Sequence, residues 1–405
     1  MCPQEKASGD PESEPIGFRN VIALGFVSFF TDISSEMCFG ILPAFILNLP
    51  GGTRAVLGII EGLAEAINYL MRIISGVFSD RFRRRKLLVF IGYAVSNVAK
   101  PLFSVARTPV DVLIVRLTDR VGKGVRTSPR DALISESVSG KRMGMAFGVH
   151  RTLDQLGAIL GPALASAFML FLGLTMRDVF VVSFIPGLMA LIVLLMFVRE
   201  RAGGLKRGFR ILSDVKSVLK GRFPFLLLVV GVFSIGAFNY SFILLRAKEL
   251  GIPEQLIPMI YAVVNVTHTA IATPAGVLSD RIGREKVLML GYGVFLLSTL
   301  LLLIAVQNPL YGFLIAAVYG VYVGIAETVQ RALVPNYAPS GLRATAYGVY
   351  YLVVGLSFLV ANIVVGALWE YVNLGAVVCY SVLTSVMALV LMSIFLLRGR
   401  QTSEA

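Results

Sequence analysis

The chain has 405 residues, of which 56% are hydrophobic and 15% are charged, and its formal net charge at pH 7 is +13. A soluble globular protein carries roughly a quarter charged residues and could not bury this much apolar surface, so the composition indicates an integral membrane protein. The basic residues lie in short loops between apolar spans, as in membrane proteins, which argues against nucleic-acid binding.

The amino-terminal segment and the cysteines argue against a cleavable signal, a disulfide framework and a metal site. Residues 1–16 are polar and contain three prolines, which predicts a disordered cytoplasmic tail rather than a cleavable signal. Cys2, Cys38 and Cys379 have neither the spacing of metal ligands nor that of a disulfide framework. We therefore expect no metal site and no cofactor.

Twelve apolar stretches follow, and each is long enough to cross a bilayer as a helix of about 20 residues. They lie at residues 20–48, 55–79, 87–106, 110–135, 143–172, 178–198, 223–247, 255–279, 286–306, 309–334, 343–370 and 374–397. An even number of spans places both termini on the same side of the membrane.

The loop charges indicate which side that is. One set of loops holds most of the basic residues, and the opposite set offers little beyond Arg54, Arg107, Arg177 and Lys248. Because cytoplasmic loops carry the excess of Lys and Arg, we expect a cell-membrane protein with both termini in the cytoplasm. The linker 199–222 adds eight basic residues. It is either a segment that contacts anionic lipid headgroups or a solvated tether.

The chain repeats itself. The segment GVFSDRFRRRK begins at Gly76 and GVLSDRIGREK begins at Gly276, an offset of 200 residues. The same offset relates Gly124 to Gly324 and Gly148 to Gly348. Agreement at one offset over several helices indicates duplication of a six-span unit, and such repeats place a substrate pathway between the halves near the bilayer midplane.

The sequence thus predicts an all-α integral membrane protein with 12 transmembrane helices in two pseudo-symmetric six-helix bundles. The predicted parts are a tail at 1–16, the first bundle at 17–198, the linker at 199–222, the second bundle at 223–398 and a tail at 399–405.

Both repeated loops resemble the GxxxDRxGRRK signature that the major facilitator superfamily carries between helices 2 and 3 and between helices 8 and 9. The first copy has Arg83 where the family has Gly, and the second has Glu285 where it has Arg. The resemblance covers about residues 17–398 and implies the fold of that family. It also implies a conformational latch, with a purely topological role as the alternative, at Gly76, Asp80, Arg81, Gly276, Asp280 and Arg281.

The fifth span resembles a second family pattern. Gly148, Gly157, Gly161 and Pro162 match the G-x8-G-x3-G-P motif of antiporter-type exporters, although Ala165 and Ser166 replace the Gly-Gly pair that follows it. Small residues at this spacing also serve ordinary helix packing. The resemblance implies proton-coupled efflux of a drug or metabolite.

Ionisable residues within the spans are the candidate functional groups, because charge at the bilayer centre is costly. Depth counted along the helices predicts an ion-paired network among spans one, two, four and five. The alternative for each acid is a permanent structural salt bridge, and for His268 it is helix packing. The candidates for proton coupling and the substrate cavity are Asp32, Glu36, Glu65, Arg116, Asp119, Arg120, Lys123, Arg151, Asp154 and His268.

The resemblance also suggests a coupling arginine on the fourth span, where exporters of the family carry an RxxQG-like motif. Arg116 lies about where that arginine is expected, but Asp119 and Arg120 stand in place of Gln and Gly. Taking Arg120 instead keeps Gly124 and breaks the spacing of the following loop.

The sequence therefore predicts a monomeric secondary transporter that moves a small molecule against protons by alternating access. The alternatives are a proton-coupled importer of an organic anion and a non-transporting receptor, although the chain has no sizeable soluble domain for signalling. The sequence has no HExxH, GxSxG or Walker lysine motif, so we expect no enzyme. It leaves open the substrate, the direction of transport, the coupling ion and its stoichiometry, and which acid carries the proton.

Overall fold

The computed structural model describes residues 17–82, 84–138, 142–200, 211–304, 308–338 and 342–404. These residues form helices and turns without strands. The first half contains α1 (Phe18–Phe39), α2 (Leu42–Leu47), α3 (Arg54–Phe82), α4 (Arg85–Ala99), α5 (Pro109–Ser137), α6 (Met143–Phe171), α7 (Met176–Val182) and α8 (Phe184–Phe197). A 3-10 helix, Lys100–Val105, continues α4.

The second half repeats this arrangement after the linker helix α9 (Ile211–Val218). It contains α10 (Phe223–Gly236), α11 (Tyr240–Glu249), α12 (Ile257–Ile282), α13 (Arg284–Leu301), α14 (Pro309–Tyr337), α15 (Arg343–Tyr371) and α16 (Leu374–Glu404). The helices form twelve membrane spans, because α1 with α2, α7 with α8 and α10 with α11 each form one interrupted span. We call the end where α1 begins and α12 ends the linker end, and the opposite end the far end.

Hydropathy by itself finds nine of these spans in the described residues. It misses three helices, α3, α5 and α13. Of these, α3 and α5 carry the charged residues of spans two and four. Charged helices of this kind are stable in a membrane only if their polar faces are directed inward, away from lipid.

The duplication predicted from the sequence is confirmed by the helix ends and by glycine packing. Helices α5 and α14, and likewise α6 and α15, begin and end at the same offset that relates the two repeated loops. A Cβ atom on Gly124 would lie 2.9 Å from the Asn68 carbonyl oxygen, and one on Gly324 would lie 2.7 Å from that of His268. The partners of the two glycines are related by this offset as well, so both halves use the same helix contact.

The two halves meet most closely near the far end, where α3 crosses α15. A Cβ on Gly58 would lie 2.1 Å from the Asn362 carbonyl oxygen, and one on Gly366 would lie 2.6 Å from that of Arg54. Glycine at both positions therefore lets the two backbones touch, which is a common way for helices to associate in lipid.

Within the first half, α6 packs on α1 through two glycines of the exporter-type motif. A Cβ on Gly157 would lie 2.4 Å from the Phe29 carbonyl oxygen, and one on Gly161 would lie 2.7 Å from that of Ile33. The same two Cβ atoms would each be 3.1 Å from a Cβ of α1, that of Asp32 and that of Glu36 respectively. These glycines therefore set the position of the acidic face of α1, while Pro162 lies inside α6.

We expect Gly157→Ala to lower the unfolding temperature of the protein in detergent, because the added methyl group meets backbone that cannot move aside. Overpacking of this kind costs about 1–3 kcal/mol. Gly148→Ala is the matched control, since a Cβ there has nothing within 4 Å. Equal unfolding temperatures for the two variants would contradict the packing role.

Candidate functional site

A cavity of about 310 Å³ lies between the two halves. It is at the lower end of the range for small-molecule sites, about 300–1,000 Å³. Helices α1, α3, α5 and α6 line it from the first half, and α10, α11, α12, α14 and α15 line it from the second. Its lining extends towards the linker end through Thr127, Arg130 and Arg331.

Most of the residues selected from the sequence line this cavity. They are Asp32, Glu36, Glu65, Arg120, Lys123, Arg151, Asp154 and His268. Arg116 and Asp119 lie behind the cavity instead, buried between α5 and its neighbours. The depth count along α5 gave the height of these two residues but not the side of the helix on which they lie.

Two ion pairs join α5 to α3. Arg116 Nη2 lies 2.9 Å from Glu61 Oε2, and Arg120 Nη2 lies 3.3 Å from Glu65 Oε1. The guanidinium groups of Arg116 and Arg120 also lie 3.8 and 4.9 Å from the centre of the Phe39 ring. The carboxylates and the ring together offset the free-energy cost of removing the arginine charges from water.

The same polar region contains a lysine that the sequence analysis did not select. Lys100 is fully buried, and its Nζ donates to Ser35 Oγ at 3.2 Å. Asp119 is its neighbour and accepts a 2.5 Å hydrogen bond from Ser96 Oγ. The signal in the sequence was a lysine directly before Pro101 within the apolar span 87–106, where the structure has the start of a 3-10 turn.

Asp32 and Asp154 form the acidic centre of the cavity. The two carboxyl groups lie within hydrogen-bonding reach of each other, and Lys123 and Glu36 are the next charged neighbours of Asp32. Arg151 Nη1 lies 2.8 Å from Asp154 Oδ2. Since ionised carboxylates only accept hydrogen bonds, a hydrogen bond between these two carboxyl groups requires a proton.

The second half also contributes charges that the sequence analysis did not select. Glu327 and Arg331 form a 3.0 Å pair and line the cavity, with His268 and Arg151 among the titratable neighbours of Glu327. Asn265 reaches the first half, because its Nδ2 donates to the Ala158 carbonyl oxygen at 2.8 Å.

Polar contacts between the halves close the far end. Arg54 pairs with Glu249 at 2.8 Å and with Glu370 at 3.3 Å. Lys248 Nζ donates to Asn48 Oδ1 at 2.7 Å. Deeper in the protein, Asn239 Nδ2 lies 3.4 Å from Glu61 Oε2, so the buried pair of α3 and α5 also contacts the second half.

The signature loops lie at the linker end. Arg284 Nη2 donates to Asp280 at 3.0 Å, and its Nη1 donates to the Ala332 carbonyl oxygen at 2.7 Å. The second loop is thereby connected to α14, and Arg281 is exposed. In the first loop, the side chains of Asp80 and Arg81 lie outside the described residues. Gly76 and Gly276 pack beside Ser128 and Thr328, which again occupy equivalent positions in the two halves.

Comparison with known proteins adds three findings. A family model described as "Major Facilitator Superfamily" matches residues 24–245 and 224–405. An uncharacterised MFS-type transporter of Methanocaldococcus jannaschii is 35% identical over 87% of this chain and 89% of its own length. The multidrug resistance protein MdtG of Escherichia coli is 26% identical over 78% of this chain and 80% of its own length.

Solved structures support the same fold. A POT family transporter crystallised with 5-aminolevulinic acid has a TM-score of 0.79 at 13% identity, over 95% of this chain and 96% of that one. At this identity the similarity concerns the fold alone.

We expect Glu61→Gln to destabilise the protein strongly, because Arg116 would remain buried without a charged partner. Breaking a buried ion pair costs about 3–5 kcal/mol. Glu136→Gln is the control, since Glu136 pairs with Arg85 while its side chain is 52% exposed. Thermal unfolding in detergent should separate the two variants, and similar unfolding temperatures would show that the buried pair contributes little.

We expect Arg54→Gln to open the far end, because it removes two ion pairs between the halves. Exposed pairs contribute about 0.2–1 kcal/mol each, so the ratio of closed to open molecules should fall several-fold. Spin labels on cysteines at positions 107 and 304, in far-end loops of opposite halves, would report longer distances. The triple variant Arg54→Glu, Glu249→Arg and Glu370→Arg restores the charge pairs and should restore the short distances; failure to do so would contradict this role.

Proposed function

Because the chain belongs to the major facilitator superfamily, we propose that it is a proton-coupled secondary transporter that moves a small molecule by alternating access. The observation that carries the proposal is the acidic centre of Asp32 and Asp154 at the wall of a cavity between the two halves. Such midplane sites between repeated halves are where transporters of this architecture bind substrate and coupling ion.

The loop charges support an orientation for this transporter. The linker end carries the excess of Lys and Arg, so it faces the cytoplasm in a cell-membrane protein with cytoplasmic termini. The far end, closed by Arg54 and Lys248, then faces outward. The described conformation is accordingly inward-facing, and the signature loops are the latch of the opposite state.

In this proposal, the coupling proton is shared by the carboxyl groups of Asp32 and Asp154. With the proton, the two carboxyl groups hydrogen-bond; without it, two negative charges repel each other in a poorly hydrated site. Asp32 lies on α1 and Asp154 on α6, whose contact is fixed by Gly157 and Gly161. Loss of the proton therefore acts directly on the packing of these two helices.

Antiport is the first candidate for the direction of coupling. The glycine and proline motif of α6 supports it, and so does the relative named as a multidrug resistance protein. In antiport the cargo and the proton must exclude each other, so the cargo would displace the proton from Asp32 or Glu36. The transporter would then export a drug or metabolite.

Import of an organic anion together with a proton is the second candidate, and the cations of the cavity favour it. Glu36, Asp32 and Glu65 are the acidic neighbours of Lys123, and Glu65 is paired with Arg120. Protonation of Asp32 and Glu36 would therefore leave Lys123 available to an anion. Proton and anion would then bind together rather than compete.

We expect transport driven by a pH gradient in proteoliposomes to be lost in Asp32→Asn and strongly reduced in Glu36→Gln, because neither amide can carry the coupling proton. A panel of drugs, sugars and organic anions supplies the cargo, and a pH-sensitive dye inside the vesicles reports the direction of proton movement. Arg107→Gln, far from the cavity, is the control. Unchanged gradient-driven transport in both acid variants would refute proton coupling through α1.

A further inference from the structure

The two walls of the cavity differ in chemistry. The first half supplies six of its seven cationic residues, namely Arg72, Arg120, Lys123, Arg126, Arg130 and Arg151. Five acids face the same space, and three of them are paired: Glu65 with Arg120, Asp154 with Arg151 and Glu327 with Arg331. Cationic groups therefore remain in excess.

Three of these cations, Arg72, Lys123 and Arg126, lack a carboxylate at bonding distance among the described residues. Arg126 lies over the Tyr93 ring at 4.4 Å. Asp32, Glu36 and Glu65 act on Lys123 only from a greater distance. Arg72 instead faces the rings of Tyr69 and Tyr351, at 5.4 and 6.0 Å.

The Arg72 guanidinium is also incompletely satisfied. Its Nε is buried without a hydrogen-bond acceptor among the described residues. A donor on a cationic side chain that is removed from water without a partner is costly. An anionic group in the cavity would relieve this cost at Arg72 and would pair with Lys123, which lines the same space.

The opposite wall is aromatic. The second half supplies six tyrosines to the lining, namely Tyr240, Tyr261, Tyr319, Tyr322, Tyr350 and Tyr351. Tyr240 and Tyr261 stack with their ring centres 4.1 Å apart, and Tyr319 and Tyr322 lie edge to face at 5.4 Å. Rings presented in this way favour planar aromatic groups through stacking and edge contacts.

From these two walls we infer that the cargo is an organic anion that carries an aromatic ring, with its charge towards α3 and α5 and its ring against the tyrosines. A cation of the same shape would meet Lys123 and Arg72, and a neutral compound would leave both cations without a partner. This inference rests on the proposed transport function and favours the second candidate, in which proton and anion bind together.

The test is direct binding of 2-naphthoate to the purified full chain in detergent, measured by isothermal titration calorimetry. We expect saturable binding of 2-naphthoate. Binding of 2-naphthamide, which is neutral, and of 2-naphthylmethylammonium, which is cationic, should be at least about tenfold weaker, since a charge-assisted hydrogen bond is lost. Decahydro-2-naphthoate keeps the charge but not the planar ring, and should bind about threefold to tenfold more weakly.

Variants of the cavity residues test which side chain contacts the charged end of the ligand and which contacts its ring. Lys123→Gln should weaken 2-naphthoate binding about tenfold, while Lys123→Arg should retain it. Tyr261→Leu should weaken it about threefold or more, while Tyr261→Phe should not. Arg107→Gln is the control for a cation outside the cavity. Thermal unfolding of each variant separates loss of binding from loss of fold, and the conservative partner shows whether the charge or the ring is responsible.

Ligand binding tests the aromatic anion, and gradient-driven transport tests the proposed function separately. Preference for the ammonium or the amide, or equal binding by Lys123→Gln and Lys123→Arg, would overturn the assignment of an aromatic anion. If another compound of the panel were then transported under a pH gradient, the proposed function would stand. If 2-naphthoate binds as expected but no cargo responds to a pH gradient, the inference stands and proton coupling fails.

Discussion

The ion pair between Arg116 and Glu61 is the interaction on which the arrangement of the first half depends. Both side chains are almost completely removed from solvent, and they connect the two most charged spans, α3 and α5. Charges at this depth are tolerated only when they face each other or a cavity. Pairing the two helices turns their polar faces inward, so further charges of α5, among them Arg120 and Lys123, line the space between the halves.

The duplication explains why the two halves share a backbone arrangement. Divergence of their side chains explains why the two walls of the cavity differ. The two halves share helix ends and glycine contacts at the offset of the sequence repeat. Their inner walls nevertheless differ, because the first half presents most of the cations and acids and the second presents six tyrosines. A pseudo-symmetric scaffold thus encloses an asymmetric cavity, which can hold a ligand with two chemically different ends.

Packing and charge act on the same pair of helices. Gly157 and Gly161 bring the backbone of α1 against α6, and this contact brings Asp32 to Asp154. A change in the charge of that acidic pair is therefore also a change in how the two helices pack. At the far end, Gly58 and Gly366 let α3 and α15 touch, and Arg54 forms an ion pair with Glu249 of the second half. Movement between the halves has to break this second contact.

The sequence by itself determined the twelve spans, the duplication and eight of the cavity residues, because hydrophobic length, a fixed offset and the cost of buried charge can be read along one chain. It did not determine which face of α5 meets the cavity, so Arg116 and Asp119 were placed there although they lie behind it. It also missed Lys100 and the tyrosine wall, since tyrosines in an apolar span resemble ordinary core residues. Those features depend on helix rotation and on contacts between residues far apart in the chain. Only the tertiary structure decides them.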